Sequence, residues 1–442
     1  MSDKLAGLTQ AQLDAHWMAF TGNREFKRDP RIMVSAQGAY YTDSEGRKIF
    51  DGLSGLWTCG LGHSVPQINE AVAAQVSQLD YSPAFQFGHV KSFQLAEKIT
   101  EFMPEGLNRV FFTDSGSESA DTSLKMARAY WRKKGQAGKT RIIGRNKGYH
   151  GVNFGGISAG GIGGNRALYG EGIAADHMAH TMQKGNEFCK GQASNGAEMA
   201  DEILEMIALH DASNIAAVIV EPLAGSAGVL PPPVGYLNRI REICDQHNIL
   251  LIFDEVICAF GRMGANTGAE AFGVTPDIIN IAKQVTNGAI PLGAVVVKQE
   301  IYDTFMEHGG ADYLVELPHG YTYSAHPVAC AAGLATLNVL QEQNLIARVA
   351  ELSPYFEEAV HSLKGANAVT DIRNYGFAAG FTLEAYPGEP ARRPYEVAMR
   401  MWRKGFYVRY GADTIQLGLP FITEKTEIDS LINALGESFN EG

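Results

Sequence analysis

The sequence predicts an α/β fold around a mainly parallel β-sheet. From residue 109 onward, short apolar runs recur that are continuous rather than alternating with polar residues. Such runs are typical of strands buried on both faces of a parallel sheet. The predicted strands are "RVFFTD" (109–114), "TRIIGRN" (140–146), "IAAVIVEPL" (215–223), "ILLIFDEV" (249–256), "DIINIAK" (277–283) and "GAVVV" (293–297).

Helical patterns separate several of these strands. "ESADTSLKMARAYWRKK" places Ala120, Leu124 and Ala127 on one face of a helix, and "YLNRIREICDQHN" does the same with Leu237 and Ile240. The resulting order of strand, helix and strand is the signature of an α/β fold.

The pattern of the chain changes near both ends. Beyond about residue 330, amphipathic helices with a few short strands replace the buried strands, and "GAYYTDSEGRKIFDG" near the start resembles a hairpin. We therefore predict a large domain at 61–330 and a smaller α+β domain formed by 1–60 and 331–442.

Composition narrows the class of protein. The 442 residues carry 37 Lys and Arg against 49 Asp and Glu, a net charge of −12 that disfavours binding to nucleic acid or anionic lipid. The five cysteines show neither a disulfide framework nor zinc spacing, and no metal site is predicted. No export signal or membrane-spanning run of about 18 apolar residues is visible, so we expect a cytoplasmic protein.

Polar residues follow four of the predicted strands where each strand ends. They are Asp114 with Ser115, Glu221, Asp254 and Lys283. Each has an ordinary structural explanation, such as a helix cap, a turn or a solvated strand end. Their joint occurrence at the carboxyl ends of strands, where open α/β sheets bind ligands, instead predicts one site.

The segment after the first strand predicts a phosphate-binding helix start. Ser115 and Glu118 have the spacing of a capping box, and Gly116 permits close approach to the free N–H groups. A phosphate anchor combined with the amine of Lys283 suits pyridoxal phosphate (PLP), which needs both. Asp254 supplies the acid that would keep the pyridine nitrogen protonated.

Two other features are assigned no chemistry. "GGISAGGIGGNR" begins a GxGxxG pattern at Gly161 and Gly163, but Arg166 replaces the third glycine and no GK[ST] follows, so we expect a flexible loop. Four histidines in glycine-rich or turn segments are expected to be structural, namely His63, His150, His319 and His326.

Ordered motifs over essentially the whole chain resemble the class III aminotransferases of PLP fold type I, and within them the β-alanine (ω-amino acid):pyruvate branch. The motifs include "LSGLWTCGLGH", "VFFTDSGSESADTSLKMARAYWR", "GYHGVNF", "VEPLAGSAGVLPPP", "LLIFDEVICAFGR", "IAKQVTNGAIPLGAV" and "GFYVRYGADTIQ". The resemblance implies a seven-stranded, mainly parallel sheet between helices in the large domain. It also implies a homodimer with shared active sites, either alone or paired into a tetramer.

The resemblance also implies roles for individual residues. Lys283 would bind the coenzyme aldehyde as a Schiff base and move a proton, while Asp254 would pair with the pyridinium nitrogen. The other implied coenzyme contacts are Ser115, Gly116 and Ser117 at the phosphate together with Thr322 of the partner subunit, Tyr149 and Ile257 on the ring faces, and Glu221 near Asp254. The implied substrate pocket consists of Trp57, Phe85, Tyr149, Ala227 and the carboxylate-binding Arg409.

The resemblance implies transfer of an amino group from an ω-amino acid or amine to pyruvate. Ser226 favours this branch, because 4-aminobutyrate and ornithine aminotransferases usually carry a glutamate at that position. A 4-aminobutyrate, diamine or decarboxylating aminotransferase, an aminomutase, and a silent PLP-fold binding protein remain alternatives. The motif departures at Cys258, Ala259, Met263 and Gly418–Pro420 leave pocket shape open.

Overall fold

The computed structural model describes residues 5–170 and 172–441, so residues 1–4 and 442 of the predicted small domain lie outside the described part. Its strands are β1 Met33–Gln37, β2 Tyr40–Asp43, β3 Lys48–Asp51, β4 Leu107–Thr113, β5 Arg141–Asn146, β6 Gly160–Gly161, β7 Ala175–Met178, β8 Ile215–Val220, β9 Leu250–Asp254, β10 Ile278–Ala282, β11 Gly293–Lys298, β12 Val369–Tyr375, β13 Ala378–Leu383, β14 Phe406–Tyr407, β15 Arg409–Gly411 and β16 Thr414–Gly418.

Helices of very different length connect these strands. They are α1 Gln10–Ala15, α2 Asn23–Phe26, α3 Ser54–Trp57, α4 Pro66–Gln78, α5 Val90–Thr100, α6 Gly116–Lys133, α7 Phe154–Ala159, α8 Gly163–Arg166, α9 Glu202–His210, α10 Tyr236–Gln246, α11 Gly268–Phe272, α12 Gln299–Glu307, α13 Pro327–Glu342, α14 Leu345–His361, α15 Arg392–Arg403 and α16 Lys425–Asn440. Short 3₁₀ helices add Ala197–Asp201, Ala212–Asn214 and Lys283–Thr286.

The large sheet confirms the predicted α/β fold. Its strand order is β4-β11-β10-β9-β8-β5, and both β6 and β7 pair with β5. Only β11 runs against its neighbours, so β4, β5, β8, β9 and β10 all end at the same edge. Eight strands are found in the described residues instead of the predicted seven, because β6, of two residues, adds one.

Helices cover both faces of this sheet, as the apolar stripes predicted. On one face α6 and α12 pack through residues such as Leu124, Ala127 and Ile301. On the other face α10 packs through Leu237 and Ile240. Strands β8, β9 and β10 are buried along their whole length, which explains why their sequences do not alternate.

Segments from near both ends of the chain pair in one sheet. Strand β14 pairs in parallel with β3, with Phe406 opposite Phe50, and so joins the N-terminal hairpin to C-terminal sequence. Strands β12, β13, β16 and β15 form a separate antiparallel sheet. The predicted domain boundary at residue 330 falls inside helix α13, Pro327–Glu342. None of the helices in the described residues is both long and apolar enough to cross a membrane.

Candidate active site

A cavity of about 610 Å³ opens at the edge where the parallel strands end. All of the predicted site residues contribute to its lining except Ser115, Phe85 and Thr322. The predicted residues that line it are Trp57, Gly116, Ser117, Tyr149, Glu221, Ala227, Asp254, Ile257, Lys283 and Arg409. The edge of the sheet therefore brings together residues that are far apart in the sequence.

Lys283 occupies a strained position directly after β10. Its φ of 56° lies in the left-handed region, which residues other than glycine rarely adopt and which is often found at functional sites. Its amine forms no hydrogen bond or ion pair with the residues that the structure describes. Burial lowers the pKa of Lys283, and the nearby carboxylates of Asp254 and Glu221 offset that effect only in part. Burial therefore favours the uncharged, reactive form of the amine over the charged one.

Hydrogen bonds to the backbone of residues 60–62 hold the turn that carries Lys283. Gln284 Oε1 accepts the N–H of Gly60 at 2.7 Å, and Asn287 Oδ1 accepts the N–H of Leu61 at 2.9 Å. Asn287 Nδ2 donates to the carbonyl of Gly62 at 2.7 Å. Two buried side chains directly after the lysine thus fix the strained backbone.

Asp254, at the end of β9, is oriented by a residue that sequence reasoning missed. Its Oδ2 lies 2.9 Å from Nδ1 of His150, and its Oδ1 accepts the N–H of Val256 at 3.3 Å. His150 is buried and was expected to have no role. The missed signal is its position just after β5, at the same edge as the other site residues.

Glu221 connects the ends of β8 and β5. Its Oε1 accepts the N–H of Tyr149 at 2.8 Å and its Oε2 accepts the N–H of Gly225 at 3.1 Å. Burial raises the pKa of Glu221 to about 7, with the neighbouring charge of Asp254 acting in the same direction. Glu221 therefore positions Tyr149, which faces the cavity, through its backbone.

Helix α6 begins at the cavity with free N–H groups. Ser115 caps it by accepting the N–H of Glu118 at 3.2 Å, whereas Glu118 accepts the N–H of Asp114 at 2.7 Å, so only half of the predicted capping box forms. The Ser115 side chain serves this cap and does not line the cavity. The N–H groups of Gly116 and Ser117 have no helical partner, and with the helix dipole they favour an anion.

Two glycines leave room around this anion site. A Cβ atom at Gly116 would lie 2.8 Å from Val256 Cγ1, and one at Gly151 would lie 2.5 Å from Ser117 Oγ. Side chains at these positions would clash with residues that themselves line the cavity. Only glycine at these two positions therefore leaves the anion site open.

The prediction that "GGISAGGIGGNR" forms a flexible loop is wrong. The segment contains most of α7, strand β6 and helix α8, and its residues 161–165 line the cavity. The glycines allow close packing: a Cβ atom at Gly156 would overlap the carbonyl oxygen of His150, and one at Gly161 would overlap that of Arg145. Glycine here serves contact between backbones rather than mobility.

The opposite end of the cavity includes residues from near both ends of the chain. Arg409 on β15 and the hairpin residues that follow it face the cavity together with Trp57 and Ala227. No hydrogen bond or ion pair links the guanidinium of Arg409 to any other residue in the described ranges. A cavity-facing guanidinium without a partner is suited to bind a carboxylate.

Phe85 and Thr322 lie on the surface of the single chain instead of in its cavity. Phe85 is 53% exposed and lies beside Gly320, since a Cβ atom there would be 2.8 Å from its ring. Thr322 is exposed, and its carbonyl accepts the hydroxyl of Tyr81 at 2.9 Å. The two residues are therefore close to one another on one surface.

The arrangement of lysine, aspartate and anion cradle agrees with what the comparison with protein families finds. The model of aminotransferase class III matches residues 22–439. This chain belongs to the class III aminotransferase family. The predicted family is thereby confirmed, and the members of this family use PLP to move amino groups between small amines and oxo acids.

Two curated class III aminotransferases are similar over nearly their whole length. A β-alanine–pyruvate aminotransferase of Pseudomonas aeruginosa is 60% identical over 98% of this chain and 97% of its own. An ω-amino acid–pyruvate aminotransferase of Pseudomonas putida is 59% identical, again covering 98% and 97%.

Solved structures of transaminases share the fold. An (S)-enantioselective ω-transaminase from Thermomicrobium roseum has a TM-score of 0.91 at 31% identity, covering 97% of this chain and 96% of its own. A PLP-bound amine transaminase from an uncultivated Pseudomonas species has a TM-score of 0.87 at 34% identity, with coverage of 96% and 98%.

The residues present fit PLP. The cradle at Gly116 and Ser117 can take its phosphate, the unpartnered amine of Lys283 can take its aldehyde, and Asp254 can pair with its ring nitrogen. The cavity volume is sufficient for the coenzyme and a small substrate together. The described residues contain no cluster of His, Cys, Asp and Glu suited to a metal ion.

Proposed function

We propose that this class III aminotransferase transfers the amino group of an ω-amino acid or amine, such as β-alanine, to pyruvate and so forms alanine. The main observation behind this proposal is that one cavity contains the amine of Lys283 and, at its other end, the guanidinium of Arg409, which has no side-chain partner in the described residues. The amine and the carboxylate of an ω-amino acid would engage these two groups at the same time. The names of the two curated relatives given above support this choice of substrates.

Lys283 is the residue that moves the proton. When bound, PLP supplies an electron-withdrawing ring that stabilises the negative charge left on the substrate carbon. Lys283 would hold the coenzyme through its amine between reactions, and the same amine, when free, would take the proton from that carbon. The lowered pKa of Lys283 suits this role, because a general base must be uncharged near neutral pH.

Asp254 keeps a proton on the ring nitrogen, and His150 keeps Asp254 in place. A carboxylate beside a protonated nitrogen stabilises that charge most strongly where water is excluded, and Asp254 is only 5% exposed. The hydrogen bond from His150 fixes which oxygen faces the ring. Gly116 and Ser117 hold the phosphate end at the start of α6.

Arg409 binds the carboxylate of β-alanine and of pyruvate through two parallel hydrogen bonds. An amine without a carboxylate would need Arg409 to turn aside, and Arg409 lies close in sequence to the exposed hairpin residue Ala412. Ser226 lines the cavity where 4-aminobutyrate aminotransferases place a glutamate, so this side adds no negative charge against a substrate carboxylate.

The active site is completed by a second copy of the chain. Phe85, Phe87, Val90 and Phe93 form an exposed apolar surface beside Thr322, of a kind typical of protein interfaces. In a homodimer this surface would carry Thr322 of the partner subunit to the phosphate and the partner's Phe85 to the substrate pocket. Further pairing into a tetramer remains an extension of the same proposal.

Replacing Phe93 with glutamate tests the homodimer. Phe93 is 71% exposed, so the change should leave the fold of the single chain intact while burying a charge at the interface. Analytical ultracentrifugation should show monomers, and transaminase activity should fall in parallel. A variant that stays fully active as a monomer would contradict the proposal. The exposed Leu209 provides a control, because L209E should remain an active dimer.

The five cysteines are all free, which agrees with the proposed location in the reducing cytoplasm.

We also propose the division into a large and a small domain, supported by the pairing of β3 with β14.

The substrates are tested by measuring alanine formed from pyruvate with β-alanine, 4-aminobutyrate, putrescine and 1-phenylethylamine as donors. We expect β-alanine to be among the best donors. A strong preference for 2-oxoglutarate over pyruvate would contradict the proposed acceptor. Release of carbon dioxide or an isomerised product without alanine would favour the decarboxylating enzyme or the mutase.

A further inference from the structure

The segment that carries Trp57 is strained and tightly held. Ser54, Gly55 and Trp57 have φ angles of 51°, 67° and 65°, all in the left-handed region. Asp51 fixes this turn by accepting the N–H of Leu53 at 3.1 Å and that of Gly55 at 2.5 Å. The position of the Trp57 ring is therefore determined by its surroundings and not by local backbone preference.

Arg262 packs on the Trp57 ring from within the protein. Its Cζ lies 5.7 Å from the centre of the ring, and its guanidinium donates to Ser54 Oγ at 3.2 Å and to the carbonyl of Leu419. Arg262 is buried and forms no ion pair within the described part of the chain. The guanidinium thus joins the turn at residue 54 to the end of β16.

Gly418 lies against the ring at the end of β16. A Cβ atom at this position would be 2.5 Å from Trp57 Cε3 and still closer to Cζ3. The carbonyl of Gly418 also accepts the hydroxyl of Ser54 at 2.7 Å, which holds β16 against the same turn. The ring can occupy its present place only because residue 418 lacks a side chain.

Apolar residues fill most of the remaining space around Trp57. It belongs to a buried cluster with Leu53, Val229, Ile257 and Met263. The cavity is the open direction, since Trp57 contributes to its lining. A ring pushed away from β16 would therefore move into the cavity.

We propose that Gly418 determines the size of amine that this enzyme accepts, by allowing the Trp57 ring to lie back against β16. Gly418 is a positioning residue, because it acts through Trp57 and not by touching the substrate. The inference rests on the proposed function and assigns a physical role to one of the positions where the sequence departs from the pattern of its relatives. Residues Arg262 and Ser54 hold the ring in the same place.

The test is the variant Gly418→Ala, assayed with pyruvate and either β-alanine or 1-phenylethylamine. The ratio of kcat/KM for 1-phenylethylamine to that for β-alanine should fall about tenfold, the scale of losing space for a methyl group or two in a tight pocket. The crystal structure of the variant should show the Trp57 ring displaced into the cavity. An unchanged ratio together with an unmoved ring would overturn the inference.

A second pair of variants separates positioning from general damage. In a Trp57→Leu background the smaller side chain leaves room for the added methyl group, so Gly418→Ala should then change the ratio by less than about twofold. If Gly418→Ala lowers the ratio equally with and without Trp57, Gly418 does not act through the ring and the inference fails.

Gly436→Ala serves as a matched control. Gly436 lies on helix α16. Its added Cβ atom would meet only the end of the Leu363 side chain, at 2.9 Å. This control should retain the wild-type ratio, and loss of the ratio here would show that the assay reports general instability and would overturn the inference. Absence of any alanine formation by the wild-type enzyme would instead refute the proposed function, which keeps the two failures distinct.

Discussion

The coenzyme end and the substrate end of the cavity are built in different ways. At the coenzyme end, Asp254 and Glu221 follow fully buried strands, and each accepts hydrogen bonds that fix its carboxylate. At the substrate end, Arg409 comes from a short strand next to an exposed hairpin tip and has no partner in the part of the chain described. Fixed groups suit a reaction step common to all substrates, whereas an unpaired group suits binding of different ones.

The difference also concerns completeness. Of the predicted coenzyme contacts, all except Ser115 and Thr322 line the cavity of the single chain, whereas Phe85 of the predicted substrate pocket lies outside it. Changes at the coenzyme end should therefore affect all substrates and have large effects. Changes at the substrate end should discriminate between substrates and have smaller effects.

Replacing Lys283 with alanine should have the largest effect. Without the amine no group holds the coenzyme covalently or moves the proton, so kcat should fall at least about 10⁵-fold with every donor. Mass spectrometry after borohydride treatment should find coenzyme attached to wild type but not to K283A, while circular dichroism remains unchanged. Lys190→Ala, which removes an exposed lysine paired with Glu358, should behave as wild type. Substantial turnover by K283A would refute the assigned role.

Replacing Asp254 with asparagine should be next. The neutral amide cannot stabilise the charge on the ring nitrogen, and kcat should fall about 10³-fold for donors with and without a carboxylate. His150→Gln should cost less, about tenfold, because His150 acts only by orienting Asp254. Steady-state kinetics with both donors provide the measurement. A D254N enzyme that keeps more than a tenth of wild-type kcat would show that the coenzyme end is less fixed than we infer.

Glu255 tests how rigidly the coenzyme end is held, because its burial should affect how protein stability depends on pH. It is fully buried beside Asp254, accepts the N–H groups of Gly268 and Ala269 at 2.5 and 2.7 Å, and burial raises its pKa to about 7. A folded-state pKa above the unfolded value gives stability that is present below pH 4.5 and is lost as the pH rises through 7. The Glu255→Gln variant has no carboxyl group to ionise at this position, so it should not lose this stability as the pH rises.

Denaturant unfolding at several pH values and one protein concentration checks this expectation. From pH 5 to pH 8, the free energy of unfolding of E255Q should rise relative to wild type by about 3 kcal/mol. The exposed Glu198 gives the control, since E198Q should follow the wild-type curve. Parallel curves for E255Q and wild type would contradict the stated ionisation.

Replacing Arg409 with alanine should have a smaller effect than K283A or D254N and the clearest substrate dependence. Loss of a charged pair of hydrogen bonds should lower kcat/KM for β-alanine and for pyruvate about 30-fold. The half-reaction with 1-phenylethylamine, which has no carboxylate, should change less than about threefold in stopped-flow measurements. Arg392→Ala, at an exposed surface pair, is the control. Equal losses with both donors would remove the distinction between the two ends.

The strand-end residues were predictable because the relevant signal is local. An apolar run long enough for a buried strand marks where the strand ends, and parallel strands end at one edge, so Glu221, Asp254 and Lys283 could be placed together before any contact was known. The class III family also followed from the motifs. The contact that orients Asp254 could not be found this way: the position of His150 after β5 indicates the edge of the sheet, but not that its ring contacts a carboxylate 104 positions away.

Glycine was the least informative residue in the sequence. The run in "GGISAGGIGGNR" suggests flexibility locally, but its glycines permit backbone contacts with the segment at Arg145–His150. Gly418 is also unremarkable until β16 lies beside Trp57. The structural effect of a glycine depends on which atoms pack against it, and these packing partners come from distant parts of the chain.

By itself, the sequence determined the α/β fold, the edge of the sheet that carries the chemistry and the residues that stand at that edge, since periodicity and strand ends depend on neighbours in the chain. Tertiary structure alone decided how those residues are held, which surface remains exposed beside Thr322, and where the Trp57 ring lies. These features depend on contacts between segments far apart in sequence, whose geometry is set by close packing rather than by local preference.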